Sequence, residues 1–307
     1  MNDRYIMQRA VGEGATGGVY EVYDSQMARY VALRQIQEDA SLVEAERARR
    51  RSEFKILISE LIKVQHPNLP YVFDAGIDGE TPFMCCSFIN GAWMMDELAV
   101  SPTLSTTDVA RIAEDVLSVL AGLHDVGIVH GMLSPKSLMF QPCPSGGNRY
   151  FVVDAGVAEV YTLFHSPQAY RKNLLDPALA APELAHGCVA TPLSDLYACG
   201  HLLYSLLAGG HPCAGMSLEQ AERWNHETGM LPISHYRPEV QPSFAHWLSR
   251  LMEPNLALRF ESAQLALSTM PAVEANAPVI GFEKVTISET SVRGRLGQLL
   301  KKLVPSS

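Results

Sequence analysis

A chain of 307 residues is long enough to bury a large core, either in one bilobal domain or in two small ones. Its 47% hydrophobic and 19% charged residues are an ordinary balance for a globular protein. The net charge of −9 argues against a nucleic-acid-binding protein, because such proteins usually carry a strong basic excess.

The cysteines and the apolar stretches indicate the compartment. Six cysteines occur without the spacing of metal ligands, at positions 85, 86, 143, 188, 199 and 213. Cys85 and Cys86 lie inside an apolar run, which predicts buried thiols. The opening residues MNDRYIMQRA are polar, unlike a signal peptide, and no apolar stretch approaches the length of a membrane span. We therefore expect a cytoplasmic protein without membrane association.

The first part of the chain is mostly strand. Short β-rich runs separated by turn residues occupy 4–11, 17–24 and 29–36. A long helical run follows at 42–64, and two more strands with a glycine-containing turn between them occupy 69–78 and 81–91. This pattern predicts a β-rich lobe over about 1–90.

Helices dominate after residue 100. The segment 107–124 carries apolar residues at helical spacing, namely Val109, Ile112, Val116, Leu120 and Leu123. A strand pair at 137–140 and 149–156 interrupts the helices, which resume at 193–210, 217–227 and 243–252. A small β lobe followed by a larger helical lobe, over about 91–270, predicts an α+β, two-lobed fold.

A glycine array lies between the first two predicted strands. Gly12, Gly14 and Gly17 form a GxGxxG pattern followed by Val19. A dinucleotide-binding fold requires the last glycine to open a helix, whereas the residues that follow here are strand-like. The array therefore favours a hairpin whose backbone N–H groups can approach phosphate oxygens. The alternative is a glycine-rich turn that binds no ligand.

Further motifs make the pattern specific. Eight segments stand in the order used by one enzyme family: the glycine array at 12–19, VALR at 31–34, HPNLPYVFDAG at 66–76, HGMLSPKS at 130–137, DAG at 154–156, APE at 181–183, SDLYACGHLLYSLLAGGHPC at 194–213 and LALRF at 256–260. From about residue 5 to 270 the sequence resembles the protein-kinase family, bacterial Ser/Thr type. The resemblance implies one bilobal protein-kinase-like domain over 1–270, with Asp195 as a buried acid.

The catalytic positions depart from the family's pattern. The resemblance implies a strand Lys that grips phosphates, a base Asp, a metal-binding Asn and a second metal-binding Asp. Arg34, Met132 and Ser137 replace the first three, and only Asp154 is retained. Gly131 replaces the Arg before the base, and Ser134 replaces the Lys that follows it. Apart from this metal-binding Asp, we therefore expect that no catalytic residue is retained, with Met132 at the base position.

Each replacement has chemical consequences. Met132 cannot accept a proton, so general-base assistance of about 10²–10⁴-fold is lost. Ser137 offers a metal one neutral oxygen, and Asp154 either anchors an ion through the phosphates or only forms a turn. Arg34 either forks onto phosphate oxygens or fills the cleft and pairs with a carboxylate. ATP with Mg²⁺ is the cofactor that the resemblance implies, with Asp154 and Ser137 as metal ligands.

The resemblance also places an adenine pocket. Val19 and Ala32 form its roof, Met139 its floor, Cys86 the gatekeeper, and 87–89 the hinge, which includes Phe88. The alternative for these small or apolar residues is an ordinary core between the lobes. With the glycines and Arg34 they make up the expected nucleotide site.

The resemblance also implies an acid in the long helix at 42–64 and a role for the segment 154–183. The family position of the acid corresponds to Leu57, and the nearest candidates are Glu53 and Glu60, with Glu53 ahead. In the alternative interpretation, both are solvated helix acids. Because Gly131 removes the Arg that clamps a loop phosphate, we expect the segment 154–183 to have a fixed packing role or to serve as a docking surface. Glu183 and Arg259 are expected to form a buried ion pair.

The last residues form a separate tail over 271–307. Residues 271–283 resemble a linker, and 291–307 show a short basic amphipathic helix pattern that two glycines weaken. This pattern fits a partner groove, an anionic membrane surface or the chain's own lobe. Its shortness and its lack of Trp and Phe favour docking onto a protein or onto the chain's own lobe over a membrane.

Two functions follow from the sequence. The first is a pseudokinase, a regulatory or scaffolding protein with protein partners and a nucleotide site. The second is an atypical kinase or another ATP-dependent transferase. The joint loss of the base, the Lys and the Asn favours the first.

Overall fold

The computed structural model describes residues 4–14, 16–144 and 146–273. The predicted tail lies outside these residues from 274 onward. Five strands form an antiparallel sheet in the order β1-β2-β3-β5-β4: β1 Tyr5–Gly14, β2 Gly17–Asp24, β3 Arg29–Gln35, β4 Val72–Asp78 and β5 Thr81–Ser87. The helix α1, Glu44–Leu61, connects β3 to β4. The predicted β-rich lobe is confirmed.

The second lobe is helical around a small sheet. The strands β6 Ala92–Trp93, β7 Leu138–Pro142 and β8 Asn148–Val152 pair in that order. Its helices are α2 Met94–Val100, α3 Thr106–Asp125, α4 Val157–Phe164, α5 Pro167–Asn173, α6 Pro182–Ala185, α7 Pro192–Ala208, α8 Leu218–Glu227, α9 Pro242–Leu251 and α10 Ala263–Ser268. The α+β, two-lobed architecture is thus confirmed.

The helix α3 shows how the apolar pattern determines the core. Its five residues with predicted helical spacing are all fully buried. Ser105 accepts a hydrogen bond from the Asp108 N–H and caps the first turn. Together with α7, which is also largely buried, α3 forms the centre of the helical lobe.

Five helices were not predicted, namely α2, α4, α5, α6 and α10, and of these α4 and α5 lie within the segment 154–183. Val157, Val160, Tyr161 and Phe164 are buried on one face of α4, which explains why this short stretch is helical. Ser166 caps α5 by accepting from the Ala169 N–H. The segment is therefore packed against the rest of the protein, which agrees with the first of its two expected roles, a fixed packing role.

The cysteines are free thiols. Cys85 is fully buried, as predicted, whereas Cys86 is only half-buried because it borders a cavity. The part of the chain that the structure describes contains no helix long and apolar enough to cross a membrane.

Candidate functional site

A cavity of about 620 Å³ lies between the lobes. Eight residues of the expected nucleotide site line it: Gly12, Gly17, Val19, Ala32, Arg34, Cys86, Phe88 and Met139. Gly14 ends β1, directly before the hairpin turn. Met132 and Asp154 line the same cavity. The motifs that are far apart in the sequence therefore meet in one place.

The register of the sheet positions the roof of this cavity. Val19 pairs with Arg34 across β2 and β3, and Ala32 pairs with Cys86 across β3 and β5. Burial raises the pKa of the Cys86 thiol to about 12, so it borders the cavity as a neutral group. Met139, on β7, contributes an almost fully buried side chain from the other lobe. The walls are small and apolar, which suits a planar base.

The glycine hairpin is confirmed, and Gly17 is required by its packing. Gly14 pairs with Gly17 at the end of the hairpin. Gly17 has φ 109°, and a Cβ atom there would lie 1.9 Å from the carbonyl oxygen of Gln35. A side chain would therefore clash with β3, whether or not a ligand is bound. At Gly12 the described residues leave at least 4 Å around the position of a Cβ atom.

Arg34 is held by two oxygen atoms across the cavity. One Nη atom donates to Asp154 in a short ion pair, and the other donates to the Thr16 hydroxyl at 2.6 Å. The side chain of Arg34 is 13% exposed and that of Asp154 is 25% exposed. Of the two alternatives for Arg34, the structure thus shows the pairing with a carboxylate. The cavity nevertheless remains open.

The backbone of Asp154 also has an unusual conformation. Its φ is 67°, in the left-handed region, which Asp adopts more readily than most residues. The Asp154 carbonyl accepts from the Val157 N–H and so begins the turn into α4. This conformation presents the carboxylate to Arg34 while the chain reverses direction.

Ser137 lies in the loop rather than in the cavity between the lobes. Its hydroxyl donates to the Ser134 carbonyl at 2.8 Å and accepts from the Ser134 N–H at 3.0 Å. The residue is 2% exposed. Its hydroxyl is thus used to close the loop, and the geometry does not support the predicted metal-ligand role of Ser137.

Met132, at the base position, is part of an apolar cluster. It packs against a group that contains Ala158, Tyr161 and Tyr170 from the segment 154–183. Next to it, Gly131 has φ 71°, and its carbonyl accepts a hydrogen bond from the Tyr170 hydroxyl. Aromatic side chains of α4 and α5 therefore occupy the surroundings of the two replaced loop residues.

The loop that carries Met132 is hydrogen-bonded to a side chain of α7. The Asp195 carboxylate accepts from the N–H groups of His130 and Gly131, each at 2.8 Å, and lies 2.9 Å from Nε2 of His124. Asp195 is 1% exposed, so its prediction as a buried acid is confirmed. The loop backbone is thus positioned although its catalytic side chains are absent.

The candidate acids of α1 pair along their own helix. Glu53 lies 3.3 Å from Arg49, and Glu60 lies 2.6 Å from Lys63. Both are exposed or nearly so, whereas Phe54, Ile58 and Leu61 form the buried face of the helix. The alternative of solvated helix acids is therefore correct for both glutamates.

The residues fit a nucleotide base but not a magnesium site. The volume of the cavity is within the usual range for small-molecule sites, and its walls are mainly apolar. Mg²⁺ requires an oxygen shell, yet the carboxylate of Asp154 is paired with Arg34 and the hydroxyl of Ser137 is used in the loop. Among the described residues there is no group of three His, Cys, Asp or Glu that could hold a metal ion.

Several curated proteins resemble this chain. The serine/threonine-protein kinase pkn3 of Myxococcus xanthus is 26% identical over 88% of this chain and 50% of its own length. The serine/threonine-protein kinase PrkC of Bacillus subtilis is 24% identical over 86% of this chain and 39% of its own. The serine/threonine-protein kinase PknA of Mycobacterium tuberculosis is 25% identical over 90% of this chain and 62% of its own length. The chain thus spans less than two thirds of each relative.

The family assignment follows from a match over most of the chain. The model of the protein kinase domain matches residues 5–269, which include both lobes, the cavity and the anchored loop. The order of motifs, the two-lobed architecture and this match agree with one another. The chain therefore belongs to the protein kinase family.

Proposed function

We propose that the protein is a pseudokinase: a regulatory or scaffolding protein that keeps the kinase fold and does not transfer phosphate. The observation that carries this proposal is the ion pair between Arg34 and Asp154. Asp154 is the one acid retained from the catalytic set, and its charge is neutralised by the residue that replaces the strand Lys. Phosphoryl transfer depends on positioned charge, which this pair removes.

The surroundings of Met132 support the same conclusion. A thioether cannot act as a base, and here it is packed against apolar and aromatic side chains from α4 and α5. The segment that carries these side chains borders the cavity through Asn173 and Leu174. A hydroxyl-bearing substrate at this position would therefore meet a thioether and apolar side chains in place of a base.

The nucleotide part of the proposal is limited to the base pocket. ATP is the ligand we propose, held by the apolar walls and the hinge backbone and without a bound magnesium ion. Because the Arg34–Asp154 pair carries no net charge, we expect the phosphates of ATP to contribute less to the binding free energy than the base does.

The proposed partners are other proteins, which would bind the lobes or the tail. Signalling by contact needs a stable surface, and the packed segment 154–183 provides one. The relatives are serine/threonine kinases by name and are longer than this chain, and the proposal does not rest on their activity.

A phosphotransfer assay tests the proposal. Purified protein is incubated with radiolabelled ATP and Mg²⁺ or Mn²⁺, with and without a generic peptide substrate, beside an active serine/threonine kinase. We expect no more label transfer than for the Asp154→Ala variant. Transfer that exceeds this variant at rates near the family's usual ~1–100 s⁻¹ would instead establish an atypical kinase.

A further inference from the structure

A second cavity lies in the helical lobe, and none of its lining residues borders the cleft. Its volume is about 390 Å³, and it lies among α7, the segment after α8, and α9. Tyr197 and His201, one turn apart on α7, line its wall and are each 1% exposed. Their ring centroids lie 4.2 Å apart, with an angle of 31° between the ring planes. Apolar residues such as Met230 and Leu248 contribute much of the remaining wall. The cavity therefore combines an apolar lining with buried polar rings.

Hydrogen bonds determine where the protons of a buried histidine pair lie. The Cys213 N–H donates to Nδ1 of His211 at 3.1 Å, so this nitrogen is an acceptor and Nε2 of neutral His211 carries the proton. That Nε2 lies 2.8 Å from Nδ1 of His201 and donates to it. Nδ1 of His201 is therefore an acceptor, and Nε2 of His201 must carry the ring proton.

Both imidazoles are neutral at ordinary pH. Burial lowers the pKa of His211 to about 4. Burial, with His211 and Arg259 nearby, lowers the pKa of His201 well below its ordinary value. The assignment of one proton to each ring is therefore consistent with the surroundings of the pair.

The Nε2–H of His201 is a donor without an acceptor. The atom is buried and has no hydrogen-bond partner among the residues that the structure describes. Buried donors are nearly always satisfied in native proteins, by protein, water or ligand atoms. His201 lines the cavity, so an occupant that displaces the side chains covering Nε2 would supply the missing acceptor.

We propose that this cavity binds a small, uncharged, largely apolar molecule whose carbonyl or hydroxyl oxygen accepts the Nε2–H of His201. A neutral imidazole offers a donor but no charge, and Glu253 in the wall disfavours an anion. The nearby positive charge of Arg259 is already paired with Glu183 at 2.9 Å. The site is separate from the nucleotide cleft and does not depend on the proposed pseudokinase function.

The test uses the whole chain with ¹⁵N-labelled histidine and two probes of similar shape. Acetophenone carries a carbonyl oxygen, whereas ethylbenzene lacks one. We expect acetophenone to shift the Nε2–H resonance of His201 saturably, while the exposed His226 and His235 stay unchanged and serve as references. Ethylbenzene should bind about tenfold more weakly, because it leaves the donor unsatisfied.

Two variants make the result specific. His201→Phe keeps a ring of similar size and removes the donor, so the two probes should then bind equally. Met230→Trp leaves both histidines in the sequence and narrows the cavity, so it should abolish the binding of both probes. This variant keeps the test valid if His201→Phe fails to fold. The proposal is overturned if acetophenone leaves the His201 resonance unchanged, if both probes bind the unmodified protein equally, or if Met230→Trp has no effect.

Discussion

Arg34 and Asp154 form an ion pair that joins the β-rich lobe to the helical lobe. Arg34 lies on β3, and Asp154 lies two residues after β8, so the pair crosses the cleft. The pair leaves open the cavity that the residues of the expected base pocket line. It also engages the carboxylate of Asp154, which a metal ion would need. If the protein binds ATP as proposed, binding should therefore not depend on a metal ion, which leads to the first prediction.

ATP should raise the melting temperature equally in MgCl₂ and in EDTA. Binding to the native state alone stabilises it by mass action, and the neutralised Asp154 offers little to a metal. In Arg34→Met the carboxylate is released, so Mg²⁺ should then increase the effect of ATP. Thermal-shift titrations measure this, with Arg49→Met, a change on the exposed face of α1, as the control. A metal-dependent shift in the unmodified protein would contradict the prediction.

Restoring the base alone should not restore activity. In Met132→Asp a carboxylate replaces a side chain that packs against Tyr161 and Tyr170, so we expect a loss of about 1–3 kcal/mol in the free energy of unfolding. Arg34 would still neutralise Asp154. Phosphotransfer assays and urea denaturation test both statements, with Met132→Leu as a control of nearly normal stability. Clear turnover by Met132→Asp would show that Met132 alone prevents catalysis.

A comparison of alanine substitutions at two glycines separates the cost of backbone strain from the cost of a side-chain clash. Gly127 and Gly131 have φ values of 78° and 71°, so Ala at either position carries a similar backbone penalty of about 1–2 kcal/mol. A Cβ atom at Gly131 would lie 3.0 Å from Cβ of Ala158, whereas at Gly127 the described residues leave open space. Gly131→Ala should therefore lower the free energy of unfolding more than Gly127→Ala. Equal losses in urea denaturation would mean that the segment around α4 moves away at little cost.

The architecture was predictable because it depends on patterns that remain although Arg34, Met132 and Ser137 replace residues of the family's motifs. The periodic apolar residues of α3 and the order of the motifs define both lobes. The partner of Arg34 was not predictable, since it depends on the left-handed backbone of Asp154 and on side-chain reach. The helices α4 and α5 were missed as well, although the apolar spacing of α4 and the capping Ser166 were visible in the sequence.

The buried histidine pair should make stability depend on pH. In the unfolded chain both imidazoles take up protons near their ordinary pKa of 6.5, whereas in the folded protein the pKa of His211 is about 4 and that of His201 lies well below its ordinary value. The unfolded state thus binds more protons, and stability is lost as the pH falls from about 6.5 towards 4. Each histidine adds a slope of up to about 1.4 kcal/mol per pH unit.

Urea denaturation between pH 6.5 and 5, above the range where most carboxylates titrate, measures this slope. His211→Phe should reduce it, while the exposed His246→Phe should leave it unchanged. An unchanged slope in His211→Phe would show that other groups, such as the half-buried His66 with its lowered pKa, cause the dependence.

The predicted ion pair between Glu183 and Arg259 is confirmed, and its surroundings set the last prediction. Nη1 of Arg259 lies 2.9 Å from the Glu183 carboxylate and donates to the Leu193 carbonyl at 2.6 Å. Nε donates to the Glu253 carbonyl at 2.9 Å, and the guanidinium lies 4.9 Å from the centroid of the Tyr197 ring. The Arg259 side chain is fully buried. It therefore joins the end of the segment 154–183 to the core of the helical lobe.

Arg259→Ala should destabilise the protein much more than Arg34→Ala. Loss of Arg259 strands the nearly buried Glu183 and three backbone carbonyls, at about 3–5 kcal/mol. Loss of Arg34 leaves Asp154, whose side chain is 25% exposed and can rehydrate in the open cavity, so we expect no more than about 1 kcal/mol. Urea denaturation of both variants, with Arg259→Lys to separate charge from geometry, measures the difference. If Arg34→Ala is equally or more destabilising, Arg34 is a structural link between the lobes, and its removal should then also abolish the ATP-dependent thermal shift.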